Sequence, residues 1–294
     1  MNSVSAQPLS IEELWVTQPE FSQPESVLYN PQKDVFYISN IAGTPNEKNG
    51  MGFISIISSD GKTIDKKWIE DLNAPKGMAI FSDTLYVSDI DNLVEIDIEN
   101  GTITNRHNAS DSIFLNDVTV DNEGNVFVSD MLTNTIYQLH QGKWKPWIQD
   151  KKLENPNGII FEDNKLIIAS WGANPDKDFT TNVPGHLKVI NFADKSIRNL
   201  GKGDPIGNLD GLRSDGNGNY YATDWMDGAL LFIDSNGNFQ KLLDLNPGSA
   251  DLEVINDRNM IIIPMMNNNI VTAYKISQDI KWLNYFLILY VETT

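Results

Sequence analysis

The chain of 294 residues contains no cysteine. Disulfides, thiolate nucleophiles and cysteine-based zinc sites are therefore excluded. It has three histidines, His107, His140 and His186, so a three-histidine metal centre is not expected. Basic residues are scarce: 22 Lys and Arg stand against 40 Asp and Glu, a formal net charge of −18. A surface of that sign repels nucleic acid and anionic membranes, and neither is an expected partner. The apolar stretch at 282–291 has ten residues where about 20 are needed to cross a bilayer, so no transmembrane segment is expected. There is no basic, apolar signal sequence at the N-terminus, yet Val4-Ser5-Ala6-Gln7 resembles the cleavage region that ends a bacterial signal peptide. A cytoplasmic protein and a mature periplasmic or secreted one both fit this pattern. Composition leaves the oligomeric state open.

What is present is repetition. Six segments open alike, at Pro24-Glu25-Ser26, Pro75-Lys76-Gly77, Leu115-Asn116-Asp117, Pro156-Asn157-Gly158, Leu209-Asp210-Gly211 and Ala250-Asp251-Leu252. Their central residues are spaced by 51, 40, 41, 53 and 41. Each opening leads into an apolar strand, a turn and a second strand, which usually ends in Ser-Asp, Ser-Trp or Asp-Trp. A period near 40 with several short strands per copy predicts an all-β, six-bladed β-propeller. Runs such as Leu85-Tyr86-Val87-Ser88-Asp89 and Tyr220-Tyr221-Ala222-Thr223-Asp224 mix β-branched and aromatic residues, as buried strands do. Asp60-Gly61, Asn100-Gly101 and Asn236-Gly237 are predicted outer hairpin turns.

Blade six offers three clear strands of its own, and an incomplete blade leaves an exposed edge. Glu13-Leu14-Trp15-Val16-Thr17 is the expected fourth strand, closing the ring by pairing with the last blade. The expected organisation is a flexible leader at 1–12, one propeller domain at 13–277 and an apolar tail at 278–294. Two inserts, 171–186 in blade four and 43–50 in blade one, are expected on the face that carries the blade openings.

Strand openings lie at the rim of a propeller's channel, so the central residues form a ring: Glu25, Lys76, Asn116, Asn157, Asp210 and Asp251. Calcium takes six to eight oxygen ligands from carboxylates, amide carbonyls and water. Glu25, Asn116, Asn157 and Asp210 supply four such oxygens from four blades. Asn-Gly and Asp-Gly pairs also serve as turn residues, and that reading stands beside the metal one.

Those same motifs resemble the metal motifs of the senescence-marker-protein (regucalcin)/gluconolactonase/paraoxonase group, in family order, over residues 13–276. The resemblance implies a six-bladed propeller holding calcium, or another divalent ion such as Zn2+, Mg2+ or Mn2+, at the channel mouth. It implies hydrolysis of a small-molecule lactone or ester there. Glu25, Asn157 and Asp210 would be ligands, and Asn116 a ligand or substrate contact. The expected chemistry is metal-assisted hydrolysis, with the carbonyl polarised by the ion and water activated by Asp210, or secondarily Asp251. Asp210 and Asn116 are the candidate catalytic residues.

The chain departs from the group's pattern in informative places. Phe114 stands where the sugar-lactone hydrolases often carry arginine, and Glu25-Ser26-Val27-Leu28 replaces Glu-Gly-Pro-Trp. A sugar-acid lactone is not expected. Phe114, Trp171, Trp225, Met226 and Met265 could line an apolar mouth suited to an acyl or aromatic lactone. Lys76 stands where paraoxonases carry a histidine, either to hold a substrate carboxylate or to offset the acidic ring. Two other classes remain: a non-catalytic binding propeller with a structural metal, and a metal-free enzyme like strictosidine synthase.

Overall fold

A computed structural model describes residues 9–278. It begins with β1 (Leu9–Val16) and ends with β24 (Ile270–Gln278). Blade one comprises β2 (Pro24–Asn30), β3 (Val35–Asn40), β4 (Gly52–Ser58) and β5 (Thr63–Leu72). Blade two is β6 (Pro75–Phe81), β7 (Thr84–Asp89), β8 (Asn92–Asp97) and β9 (Thr102–Asn108). Blade three is β10 (Leu115–Val120), β11 (Val126–Asp130), β12 (Thr135–His140) and β13 (Lys143–Gln149). Blade four is β14 (Pro156–Glu162), β15 (Lys165–Ser170), β16 (Leu187–Asn191) and β17 (Ile197–Asn199). Blade five is β18 (Leu209–Ser214), β19 (Tyr220–Asp224), β20 (Ala229–Ile233) and β21 (Phe239–Asp244). Blade six is β22 (Glu253–Ile255), β23 (Met260–Met265), β24 and, last in the sheet, β1. The protein is a six-bladed β-propeller, and among the described residues no helix is long and apolar enough to cross a membrane.

Ring closure is as the sequence predicts, with a longer closing strand. β1 pairs antiparallel with β24 from Leu9↔Gln278 to Val16↔Thr272. The expected leader at 1–12 therefore ends earlier, because residues 9–12 are strand. Leu9 and Ile11 pack on the blade five–blade six core, which rewards extending β1 along all of β24. The rest of the leader and the apolar tail, from 279 onward, lie outside the described residues. The outer turns are as expected, with positive φ at Gly61 (83°), Gly101 (62°) and Gly237 (80°).

Among the described residues six core clusters lie one at each junction between neighbouring blades, and two smaller ones lie around the mouth. Tyr37, Ile54 and Leu72 of blade one meet Met78, Leu85 and Val94 of blade two. At the closing junction Val27, Phe36 and Ile38 meet Ile262, Val271 and Ala273. Inner and middle strands are thus buried on both faces, and read as nearly continuous apolar runs. Outermost strands such as β9 and β13 are mostly exposed, and there the charged residues collect.

The first strand of blade six starts later than its sequence suggests. β22 begins at Glu253, and Asp251 makes only an isolated parallel bridge to Ser26. Its backbone bonds to blade one instead: Asp251 N–H donates to Glu25 O (2.9 Å) and Val27 N–H to Asp251 O (3.3 Å). The junction where the ring closes is therefore stitched by main-chain bonds between innermost strands.

Candidate active site at the channel mouth

The same irregularity recurs at the start of the innermost strand in five blades. The pairing slips between Pro24 and Ser26, Pro75 and Met78, Leu115 and Val118, Pro156 and Ile159, and Leu209 and Leu212. A β-bulge re-aims the side chain it carries. The residues at the slip are Glu25, Lys76, Asn116, Asn157 and Asp210, and all five line one cavity of about 220 Å³ at the channel mouth. The Asn157-Gly158 pair is not a turn but part of β14. A Cβ on Gly158 would lie 2.4 Å from Asp210 O, so glycine is what lets neighbouring inner strands approach.

The chain entering each bulge is clamped by the side chain that ends strand two. Asp130 accepts from Ile113 N–H (3.0 Å) and Phe114 N–H (3.3 Å), and Asp89 accepts from Ala74 N–H (2.7 Å). Asn40 and Ser170 hold the corresponding entries through Ser22 N–H and Leu153 O. The Ser-Asp endings visible in the sequence are thus braces for the mouth.

Eight of the residues expected at the site line the cavity: Glu25, Lys76, Phe114, Asn116, Asn157, Trp171, Asp210 and Trp225. Two apolar expectations are corrected. Met265 is packed in the blade five–blade six core, and it is Met266, one residue on, that reaches the cavity. Met226 packs behind the mouth against Phe114, Met131 and Trp171. Residues not singled out from the sequence include Ile41, Met131 and Met266. Together with Trp171 and Trp225 they share one repeat position, the residue just after strand two, and form an apolar collar. That register was present in the sequence and identifies them.

Both inserts reach the mouth. Pro45 comes from the 43–50 insert, and Asp178 and Phe179 from the 171–186 insert. Phe179 is held by a hydrogen bond from Trp171 Nε1 to its carbonyl (2.8 Å), and packs on Phe114 with ring centroids 5.8 Å apart. Trp171 lies 6.1 Å from Trp225, so the collar is a connected aromatic wall.

Asp251 does not line the cavity, and its role as an alternative base at the mouth is corrected. Its Oδ2 accepts from Ser26 Oγ (2.6 Å), and both oxygens meet the Arg213 guanidinium at 3.3 Å. Arg213 also lies 3.5 Å from Glu253 and 3.9 Å from Asp117. This second charged layer, carried by the inner strands of blades three, five and six, is satisfied by its own members.

The mouth ring is not so satisfied. Glu25 is buried, and its Oε2 has no hydrogen-bond partner. Burial, then Asp210, push its carboxyl well above the ordinary range, with Lys76 opposing and Asp251 and Asp117 adding. Asp210 is pushed up to about 8, mainly by burial and then by Asp251, with contact from Asn157 acting the other way. Two carboxylates that repel each other in a buried site, one with an orphaned oxygen, fit a cation among them. The donors, two carboxylates and two amides, are hard oxygens of the kind calcium takes. No cluster of three His, Asp or Glu side chains able to hold a metal occurs among the described residues, so the two amides are essential to this set. His107, His140 and His186 lie elsewhere; His107 pairs with Glu95 on the outer part of blade two.

No family model matches the sequence, and no curated protein matches it. Solved structures do. Virginiamycin B lyase from Staphylococcus aureus superposes with a TM-score of 0.65 at 12% identity, over 91% of this chain and 99% of that one. Its catalytically inactive histidine-to-alanine form with quinupristin gives 0.62 at 13%, over 91% and 99%. A gluconolactonase from Xanthomonas campestris gives 0.65 at 13%, over 91% and 89%. This chain shares their fold. The gluconolactonase lies within the group that the Glu25, Asn116, Asn157 and Asp210 motifs resemble. Identities of 12–13% carry the architecture and not the site chemistry.

Proposed function

We propose that the protein hydrolyses a small lactone or ester at the channel mouth, with a divalent cation, calcium by preference, held by Glu25, Asn116, Asn157 and Asp210. The observation that carries this is the orphaned Glu25 Oε2 in a cavity shared with Asp210 and the two amides. A cation bound there supplies Lewis acidity toward the substrate carbonyl. The protein supplies the rest. Asp210 has a raised proton affinity and a place on the cavity wall, as a base that takes a proton from an attacking water requires. Asn116 and Asn157 offer amide N–H groups to substrate oxygens. The collar of Trp171, Phe179, Trp225 and Met131 excludes water and holds an apolar ring or acyl chain. At about 220 Å³ the cavity is below the ~300–1,000 Å³ of drug-sized sites, so the substrate is small.

The lyase reading is less well supported. The S. aureus lyase is inactive when a histidine becomes alanine, and no histidine lines this cavity. The test is turnover of aliphatic lactones and aryl esters by chelated protein, calcium-restored protein and Asp210→Ala. We expect activity that returns with calcium and falls about 10²-fold or more in the variant. Folded, calcium-loaded protein that turns over nothing would sink the reading.

A further inference from the structure

We propose that Lys76 and Phe114 form a carboxylate-binding corner of the mouth cavity, so that the preferred substrate is a small lactone or ester that itself carries a carboxylate. The substrate assignment rests on the hydrolase reading, whereas the anion site does not.

Lys76 is the one cation at a ring position, and it is 1% exposed. Its Nζ donates to Ala74 O (3.0 Å) and sits 4.6 Å from the Phe114 ring centroid. It makes no ion pair with any carboxylate among the described residues. An ammonium has three N–H donors, and a carbonyl and a ring face do not exhaust them. Burying a cation without an anion in contact is costly, so the arrangement leaves a place for one. Two of the acids nearest it are engaged elsewhere. Asp89 is occupied by Asn73 and Ala74 N–H groups, and Asp130 by those of Ile113, Phe114 and Thr133. Glu25, on the neighbouring blade one, is the acid that acts most strongly on Lys76, yet the two make no ion pair, and Glu25 Oε2 has no hydrogen-bond partner.

Phe114 gives the corner its shape. It stands two residues before Asn116, and its backbone is clamped by Asp130, so the ring is fixed as a platform under the ammonium. Phe179 and Trp171 continue that platform into the collar. A five- or six-membered ring lying on the collar can present its ester carbonyl to Asp210 and Glu25, and a carboxylate to Lys76. Hydrolysis then balances simply. The water oxygen forms the new acyl C–O bond, and the ring C–O bond breaks. The proton lost to Asp210 passes to the departing ring oxygen. The water's other proton is left on the new acid group and is released to solvent, so the product is a hydroxy acid with two carboxylates.

If Lys76 were only a counter-ion for the acidic ring, its charge would be balanced by Glu25 and its neighbours, and the wild type would not prefer a charged ligand to an uncharged one. That difference is the test. Benzoate and benzamide, nearly the same shape, are titrated calorimetrically into the full chain, with calcium and with chelator, for wild type and Lys76→Met. We expect benzoate to bind about tenfold or more tighter than benzamide, as a charge-assisted bond gives. In Lys76→Met that ratio falls to about one while benzamide binding is retained. Phe114→Leu, which keeps the charge but removes the platform, narrows the ratio. A wild-type ratio near one, a ratio that survives Lys76→Met, or no binding of either ligand overturns the proposal. The two readings fail separately. Uncharged lactones turned over with a ratio near one would leave the hydrolase and remove the anion site. A Lys76-dependent ratio with no lactone turned over would do the reverse.

Discussion

Two charged layers sit on the inner strands of this propeller, one below the other, and they differ in whether their charges are answered. In the lower layer Arg213 meets Asp251, Glu253 and Asp117 from two other blades. The remaining lone pairs are taken by Ser26 Oγ, Tyr29 N–H and Ile159 N–H from blades one and four. In the mouth layer Glu25 keeps an oxygen with no partner, and Lys76 has no ion pair. The first layer holds five blades together. The second is open toward the cavity, and buried groups left unanswered beside a cavity are where a ligand is received. Charge alone does not mark a site; unanswered charge beside space does.

Substitution in each layer separates the two roles. The largest effect on stability is expected from Arg213→Met, which leaves Asp117, Asp251 and Glu253 buried without their cation. It should cost about 3–5 kcal/mol in denaturant unfolding. An unchanged midpoint would mean that the lower layer is not a structural tie.

Asp210→Asn should act in the opposite direction. With its carboxyl at about 8 against an ordinary 3.8, the folded protein holds a proton that the unfolded chain has released. Stability of the chelated protein therefore falls as pH rises from about 4 to about 8. Melts at about pH 5 and about pH 8 should differ by several degrees, with the wild type lower at the higher pH. Asp210→Asn should flatten the slope, and calcium should flatten it for the wild type. A slope identical in variant and wild type would assign it to the other buried carboxyls that are pushed up, Glu25, Asp117, Asp251 and Glu253, or to the −18 net charge.

The smallest effect is expected from Phe179→Ala in the blade-four insert. Phe179 is only half-buried and adds apolar wall rather than charge. KM for a lactone substrate should rise about three- to tenfold with kcat little changed. A loss confined to kcat would make the insert part of the chemistry rather than a wall.

Much of this was legible in the chain. The 40-residue recurrence, the opening residues of the blades and the closing strand can all be read because a propeller repeats one short-range pattern. Five ring residues could be named because each sits at the opening position of its blade, and Phe114, Trp171 and Trp225 because they are aromatics beside those openings or at strand-two ends. The collar followed the same register, but its members vary from Ile41 to Trp225 and so do not resemble one another as residues. Asp251 shows the limit most clearly. By register it belongs to the mouth ring, and its side chain is drawn instead to Ser26 and Arg213.

The sequence by itself determined the repeat, hence the six blades, and the oxygen-bearing residues at their openings, because strand period and turn chemistry are local properties. Only the tertiary structure decided which carboxylates find partners across the channel. Whether Arg213 lies within reach of Asp251, and no donor within reach of Glu25 Oε2, depends on distances between blades that are far apart in the chain.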